Sequence, residues 1–544
     1  MIADTDVNII RKVENEVLDV EYKQYHFIHW PNELAVPMIF KYLGDILRDF
    51  KSDNSLKQLD YLQQLYLTNQ ILSGIEWSLR WLNKKPTIRM HNYYYSTQKA
   101  EVQITELMEW AIKYSQISVN YVAWTRGLLE VTVDEANKHI IFNAPMGTET
   151  KFFLSQLNAQ NRQGINYYNA IPFKELEKEF QPWLKKCTFS IKGHDIPWGI
   201  SKESIAYIKF RELMNTVIFP ELSNEINLGG YTLGDYRTFF ASIFINFQLY
   251  GWVEDYFDAK YGLENFLGSS PIDLNESDMI MWLSDLCDLK SDVVQEIIID
   301  LTFDLEGFHS KLVLQPFVRY ENNLCVSPRL LTIVNPARML SGALNKGRKK
   351  KLYDSLINKL ENANLSKIAL CFESLGFITY KEKTFSVDDK KITPDLLVFD
   401  KTNNALLIID YKHFLLPLGT SEVAYKLKEI KKGINQIQKY VSFFEKNTNC
   451  LVDFFGNENI KIYNLLLFHY PVPVPLSSQN PVNFIDLVSL QDFFSKNATL
   501  TVTQIIDWIS NRDDVLQYRD EASWHTQSIS VNDWTFSIVE AQLS

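Results

Sequence analysis

Two runs of unbroken apolar residues, Leu396-Leu397-Val398-Phe399 and Ala405-Leu406-Leu407-Ile408-Ile409, are separated only by Asp400-Lys401-Thr402-Asn403-Asn404. A strand with one face in water alternates apolar and polar side chains, so strands apolar at every position must be covered on both faces. Asp and Asn tolerate the backbone of a tight reversal and bond to their own main chain. The segment therefore predicts two neighbouring antiparallel strands in the interior of a sheet, with other elements layered above and below it.

The register of that hairpin has a chemical consequence. With a loop of two or four residues centred on Thr402 and Asn403, positions equidistant from the centre pair, and Asp395 falls opposite Asp410. Opposed residues on antiparallel strands point to the same face with Cβ atoms roughly 5 Å apart. Two carboxylates forced together must take up a proton or bind a cation, and hard ions such as Mg²⁺ favour carboxylate oxygens. Side chains alternate along a strand, so Lys412 shares the face of Asp410 while Tyr411 points the other way. An ammonium there can orient or deprotonate a water and stabilise negative charge developing on a phosphate. The competing structural role is a strand-end salt bridge between Lys412 and one aspartate. The tripeptide acid-x-Lys alone carries nothing, since it also begins at Glu21, Asp49, Asp258, Asp288 and Glu429. Its position at the end of an apolar strand, in register with Pro394-Asp395, is what carries weight.

The flanking sequence alternates helix and strand. A helical stretch over 352–375 ends at Gly376, a stop signal. Strands follow over 377–384, 392–399 and 405–411, then a long helix over 424–444 and a strand over 460–469. Within this α-β-β-β-α-β order, Pro394-Asp395 and Asp410-Tyr411-Lys412 resemble the PD-(D/E)XK nuclease superfamily, over about residues 345–490. The resemblance implies a restriction-endonuclease-like α/β domain with a mixed sheet, in which Asp395 and Asp410, with the Tyr411 backbone carbonyl, bind Mg²⁺ or Mn²⁺. It also implies that Lys412 assists the attacking water in phosphodiester hydrolysis. Gln436 and Tyr440, four apart on one helical face, look like the Q-x-x-x-Y signature of the branch that includes nuclease domains of bacterial recombination helicase-nucleases. There the pair helps order the site and contact DNA. That family usually adds an acid from the preceding helix; its usual place falls near Leu365, so Glu361, one turn earlier, is the favoured candidate and Glu373, near the helix end, the alternative. His413 and His469 end strands at the same sheet edge and read as structural histidines.

At 544 residues the chain needs more than one hydrophobic core. Residues 1–341 read as a mainly helical recognition, regulatory or assembly region. Helical periodicity recurs over 55–82, 102–121, 204–217, 238–257 and 278–299, and hairpins are expected over 128–142 and 312–331. Residues 342–500 form the nuclease-like domain, and 501–544 a C-terminal helix and tail packed on the body. The fold class is thus α+β and multidomain. Between Asn345 and Cys450 there are 19 Lys and Arg against 12 Asp and Glu, a surplus of seven in a chain of net charge -11, which leaves -18 for the rest. A basic module inside an acidic chain suits polyanion binding; the run Lys346-Gly347-Arg348-Lys349-Lys350-Lys351 fits either that or a solvated linker. Tyr93-Tyr94-Tyr95 and the pair Trp77 and Trp81 could stack on bases, although aromatics at helical spacing usually belong to a core.

Five scattered cysteines with no C-x-x-C pair point to neither a disulfide framework nor a zinc ribbon, which suits a cytoplasmic setting. The apolar stretch 238–253 contains Asn246 and Gln248 and is too short for a bilayer, so it reads as a core helix and no membrane partner is expected. No P-loop, H-E-x-x-H or G-x-S-x-G motif marks a second enzyme. The expected function is a Mg²⁺- or Mn²⁺-dependent nuclease acting on DNA rather than RNA, in the setting of defence against foreign DNA that such domains imply. A protein partner or a second copy would bind through the acidic helical region. The alternative is a non-catalytic nucleic-acid or protein interaction module retaining the nuclease fold.

Overall fold

The computed structural model describes residues 4–52, 61–83, 97–143, 170–190, 193–195, 200–261, 271–307, 310–345, 349–414, 420–457, 459–472, 482–497, 499–511 and 522–543. The protein is α+β, with a mainly helical N-terminal region and mixed sheets later in the chain. It divides into two compact units. One comprises Lys12–Gln116 and Ile165–Leu356; the other comprises Met1–Arg11, Ile117–Gly164 and Ile357–Ser544.

The first of these units is built on helices. Its helix Leu233–Tyr261 is buried nearly all round, with Tyr236, Phe239, Phe240, Ile243, Phe244 and Phe247 all inside. Its Asn246 side-chain N–H donates to the Ser242 carbonyl at 2.7 Å, one turn back on the same helix. Among the described residues no helix is long and apolar enough to cross a membrane. The periodic stretch 278–299 is two helices, Glu276–Cys287 and Ser291–Asp300, because Asp288 adopts a left-handed conformation at φ 56° that ends the first. The hairpin expected over 312–331 is present as Phe317–Tyr320 paired with Asn323–Val326. Trp81 is buried and stacks on Tyr22 at 4.9 Å, and Trp77 lies against Tyr114, so this aromatic pair belongs to a core. Tyr93-Tyr94-Tyr95 lie outside the described residues, as do residues 346–348 of the basic run. Lys349 of that run is not solvated: its ammonium lies 2.5 Å from Asp300 and 4.8 Å from the centre of the Tyr231 ring.

The second unit holds the predicted site. Its elements are β1 (Glu130–Asp134), β2 (His139–Asn143), α1 (Lys350–Ser374, from Ile357 onward), β3 (Ile378–Lys381), β4 (Phe385–Val387), β5 (Lys390–Ile392), β6 (Leu396–Asp400), β7 (Ala405–Lys412), α2 (Thr420–Lys446), α3 (Thr448–Phe455), β8 (Lys461–Phe468), β9 (Asn483–Asp486), α4 (Leu487–Lys496), α5 (Val502–Asn511), β10 (Ala522–Val531) and β11 (Trp534–Leu543). The central sheet has the order β9-β8-β7-β6-β3; β3, β6 and β7 are antiparallel neighbours, while β7, β8 and β9 run parallel. The order α-β-β-β-α-β is therefore present, with the β4–β5 hairpin and the short α3 as additions. The C-terminal segment contains the expected helix, α5, and ends in the β10–β11 hairpin, which joins β1 and β2 in a four-stranded sheet.

Both faces of the central sheet are covered, which is why β6 and β7 are apolar throughout. Leu396, Val398, Leu407, Ile409 and Tyr411 face Leu365, Ile368 and Phe372 of α1 and Val502 and Ile505 of α5. Leu397, Phe399, Leu406 and Ile408 face Tyr440, Phe443 and Phe444 of α2. Gly376, at φ 90°, ends α1, with its N–H donating to the Glu373 carbonyl.

Candidate active site

The register of the β6–β7 hairpin decides where the acids stand. Leu396 pairs with Ile409 and Asp400 with Ala405, leaving a four-residue loop. Asp400 builds that loop: its Oδ1 accepts the N–H groups of Thr402 and Asn403, and its Oδ2 accepts the Asn403 side chain and the Val502 N–H. One step beyond Leu396 and Ile409, Asp395 and Asp410 stand opposite each other, on the face turned toward α2. Tyr411 points to the other face and is buried with α1 and α5.

Asp410 has no solvent exposure, and Lys412 Nζ lies 2.7 Å from its Oδ2. Apart from that ammonium, no well-aligned donor serves either oxygen among the described residues. Asp395 is better supplied, because its Oδ2 accepts the Tyr411 N–H at 2.8 Å. Burial raises the pKa of both acids. That of Asp410 is pushed up to about 7, the pull of Lys412 being opposed by the neighbouring Asp395. Burial works against the charge of Lys412, but Asp410, then Asp395 and Glu361, more than offset it and hold the lysine above its ordinary range. Lys412 is thus a committed cation.

Of the two candidates for a third acid, the fold brings only Glu361 to this place. Glu361 continues the buried ridge Leu365, Ile368 and Phe372 one turn toward the start of α1. Its Oε1 meets the His413 N–H at 3.5 Å, and burial, with a smaller contribution from Asp395, raises its pKa. Glu373 is exposed at the far end of α1 and bonds to Thr379.

Gln436 and Tyr440 come from α2. Gln436 donates to the Tyr440 hydroxyl at 2.5 Å, and that hydroxyl donates to the Thr393 carbonyl at 3.1 Å. The pair clamps the segment Thr393-Pro394-Asp395 two residues ahead of its acid. Gly433, three residues before Gln436, was not singled out by the sequence reading. A Cβ there would lie 3.2 Å from Asp410 Oδ2 and 3.0 Å from Leu466 Cδ1, so the helix backbone roofs the carboxylate. The available signal was a glycine inside an otherwise sound helix, where it costs about 1 kcal/mol and usually marks close approach.

His413 and His469 pack together on the Tyr411 side, with ring centroids 4.4 Å apart, and His469 Nδ1 is 2.7 Å from the Tyr411 hydroxyl. Burial, with His469 and Lys426 nearby, holds the His413 pKa well below its ordinary value. They stand beside the acid pair rather than in it.

Among the described residues no three His, Cys, Asp or Glu side chains already converge as a metal cage. The donor set nonetheless suits a hard divalent ion, with two opposed carboxylates, one of them buried with little besides the Lys412 ammonium to compensate it, and Glu361 at the strand end. Comparison of the chain with protein-family models, with curated proteins and with solved structures finds no match.

Proposed function

We propose that this protein is a metal-dependent nuclease that hydrolyses phosphodiester bonds in DNA. The observation that carries the reading is the juxtaposition of Asp395 and Asp410 with the Lys412 ammonium 2.7 Å from Asp410. In this reading the mixed sheet between α1 and α2 is a restriction-endonuclease-like core, and Asp395, Asp410, Glu361 and the Tyr411 carbonyl would hold Mg²⁺ or Mn²⁺. The ion, when bound, supplies Lewis-acid polarisation of a phosphoryl oxygen and a more acidic water.

The protein's own residues supply the remainder. Asp395 and Asp410 carry paired negative charge that stays in place only if a proton or cation compensates it. Lys412, held protonated, serves as a fixed positive charge for developing phosphate charge rather than as a base. The Gln436–Tyr440 clamp fixes the strand entering Asp395, and Gly433 lets α2 close over Asp410.

The test is cleavage of labelled DNA, with RNA of the same sequence in parallel, by wild type, Asp410→Ala and Lys412→Ala in Mn²⁺. Cleavage by wild type alone is expected, faster on DNA. Equal activity in all three proteins would reject the assignment. Binding without cleavage by any of them would indicate a non-catalytic module.

A further inference from the structure

The outer surface of α2 carries a pattern that the acid site does not use. Tyr425, Lys428, Lys432, Asn435, Lys439, Ser442 and Lys446 follow one another at alternating steps of three and four, and all are exposed. Such steps keep to one face of a helix, so these residues form a straight ridge about 32 Å long at 1.5 Å per residue. No acid lies on it. Glu429 reaches across to Lys432 at 2.8 Å, an exposed pair of small energetic weight. Lys428, Lys439 and Lys446 form no ion pair among the described residues.

An ordinary solvated helix face mixes charges of both signs at steps of three and four. This one is single-signed over six turns and ends in Tyr425, a ring 57% exposed. Its position is also specific. Gln436 lies four residues after Lys432 and three before Lys439, so the ridge forms the shoulder of the acid site.

We infer that this ridge is the track along which the phosphate backbone of a nucleic-acid strand lies as it reaches Asp395 and Asp410. Lysine ammoniums are point charges on flexible stems; they neutralise phosphates without reading bases, while an exposed tyrosine stacks on any base. The identity of the partner rests on the nuclease reading above, whereas the ridge itself rests on α2 alone.

The test is binding of fluorescent DNA of about 30 nucleotides, single-stranded and duplex, to the full chain in EDTA over a range of salt concentrations. The triple variant Lys428→Ala/Lys439→Ala/Lys446→Ala is compared with Lys359→Ala/Lys401→Ala/Lys496→Ala, which removes equal charge elsewhere. The ridge variant should bind at least one of the DNAs about tenfold more weakly, with its log–log salt slope reduced by about two, and the control should match wild type. Both should melt like wild type and, with Mn²⁺, hydrolyse a small phosphodiester such as bis(p-nitrophenyl) phosphate at the wild-type rate. Unchanged DNA binding by the ridge variant, or equal loss in both variants, overturns the track and leaves the nuclease reading standing. Ridge-dependent binding with no hydrolysis by wild type sinks the nuclease reading and leaves the track.

Discussion

Asp410 is a carboxylate placed where the fold compensates it with one ammonium and little else. Burial, and then the neighbouring Asp395, outweigh Lys412 and push its pKa up to about 7, against roughly 3.9 in an unfolded chain. Between those values the folded state binds more protons than the unfolded one, so stability is greatest at the acid end and is lost as pH rises through about 7. Without metal, the melting temperature should therefore fall as pH rises from about 4 to about 7 and level off above that, and Asp410→Asn should flatten that decline. Melts in EDTA at several pH values check this, and a wild-type profile with no decline would remove the case for a strained acid. Lys412 makes the complementary prediction. Its raised pKa leaves it charged through neutrality, so Lys412→Ala should lower kcat by roughly 10²–10³. Lys412→Arg should rescue little, because a planar fork does not replace a point charge in a buried corner.

At the scale of elements, α2 is the part that turns an acid pair into a site. Its Tyr440 hydroxyl holds the Thr393 carbonyl, and its backbone at Gly433 closes over Asp410. Tyr440→Phe removes one bond and frees Gln436, which should cost about 1 kcal/mol of stability. Its cost in turnover should be larger, up to about 10²-fold, since small displacements of a reacting group are expensive. Parallel melts and single-turnover kinetics separate the two effects, and a turnover loss no greater than the stability loss would mean that the clamp is only structural. The hairpin was legible in the sequence because two continuous apolar runs and an Asp/Asn turn permit few registers, and the observed one is centred on Thr402 and Asn403. The face shared by Gln436 and Tyr440 was legible from spacing alone. The β4–β5 hairpin and α3 were not, because three-residue strands and a helix of eight residues carry too few periods to stand out. The choice between Glu361 and Glu373 also needed coordinates, since both lie on one helix and only packing tells which end meets the acids.

At the scale of the whole molecule, the unit that holds the site is discontinuous in sequence, and periodicity does not reveal such an arrangement. Ala123 and Leu128 are buried with Ile434, Ile437, Leu466 and Phe468, directly behind α2 and β8. β2 pairs in parallel with β11 from His139–Thr535 to Asn143–Val539, and His139 Nε2 lies 2.8 Å from Ser537 Oγ. A fragment beginning at Gly342, where the change of periodicity falls, would lack Ala123, Leu128, β1 and β2. It would expose apolar side chains of α2 and β8 and leave β11 with an unpaired edge, the kind of edge that templates association. Such a fragment should therefore melt well below the full chain, or without cooperativity, and should self-associate. Adding residues 117–143 through a linker should restore a single cooperative transition. Circular dichroism melts and size-exclusion chromatography of the two fragments provide the check. A monomeric 342–544 fragment melting within a few degrees of the full chain would show that β1, β2 and the helix end before them only decorate the unit.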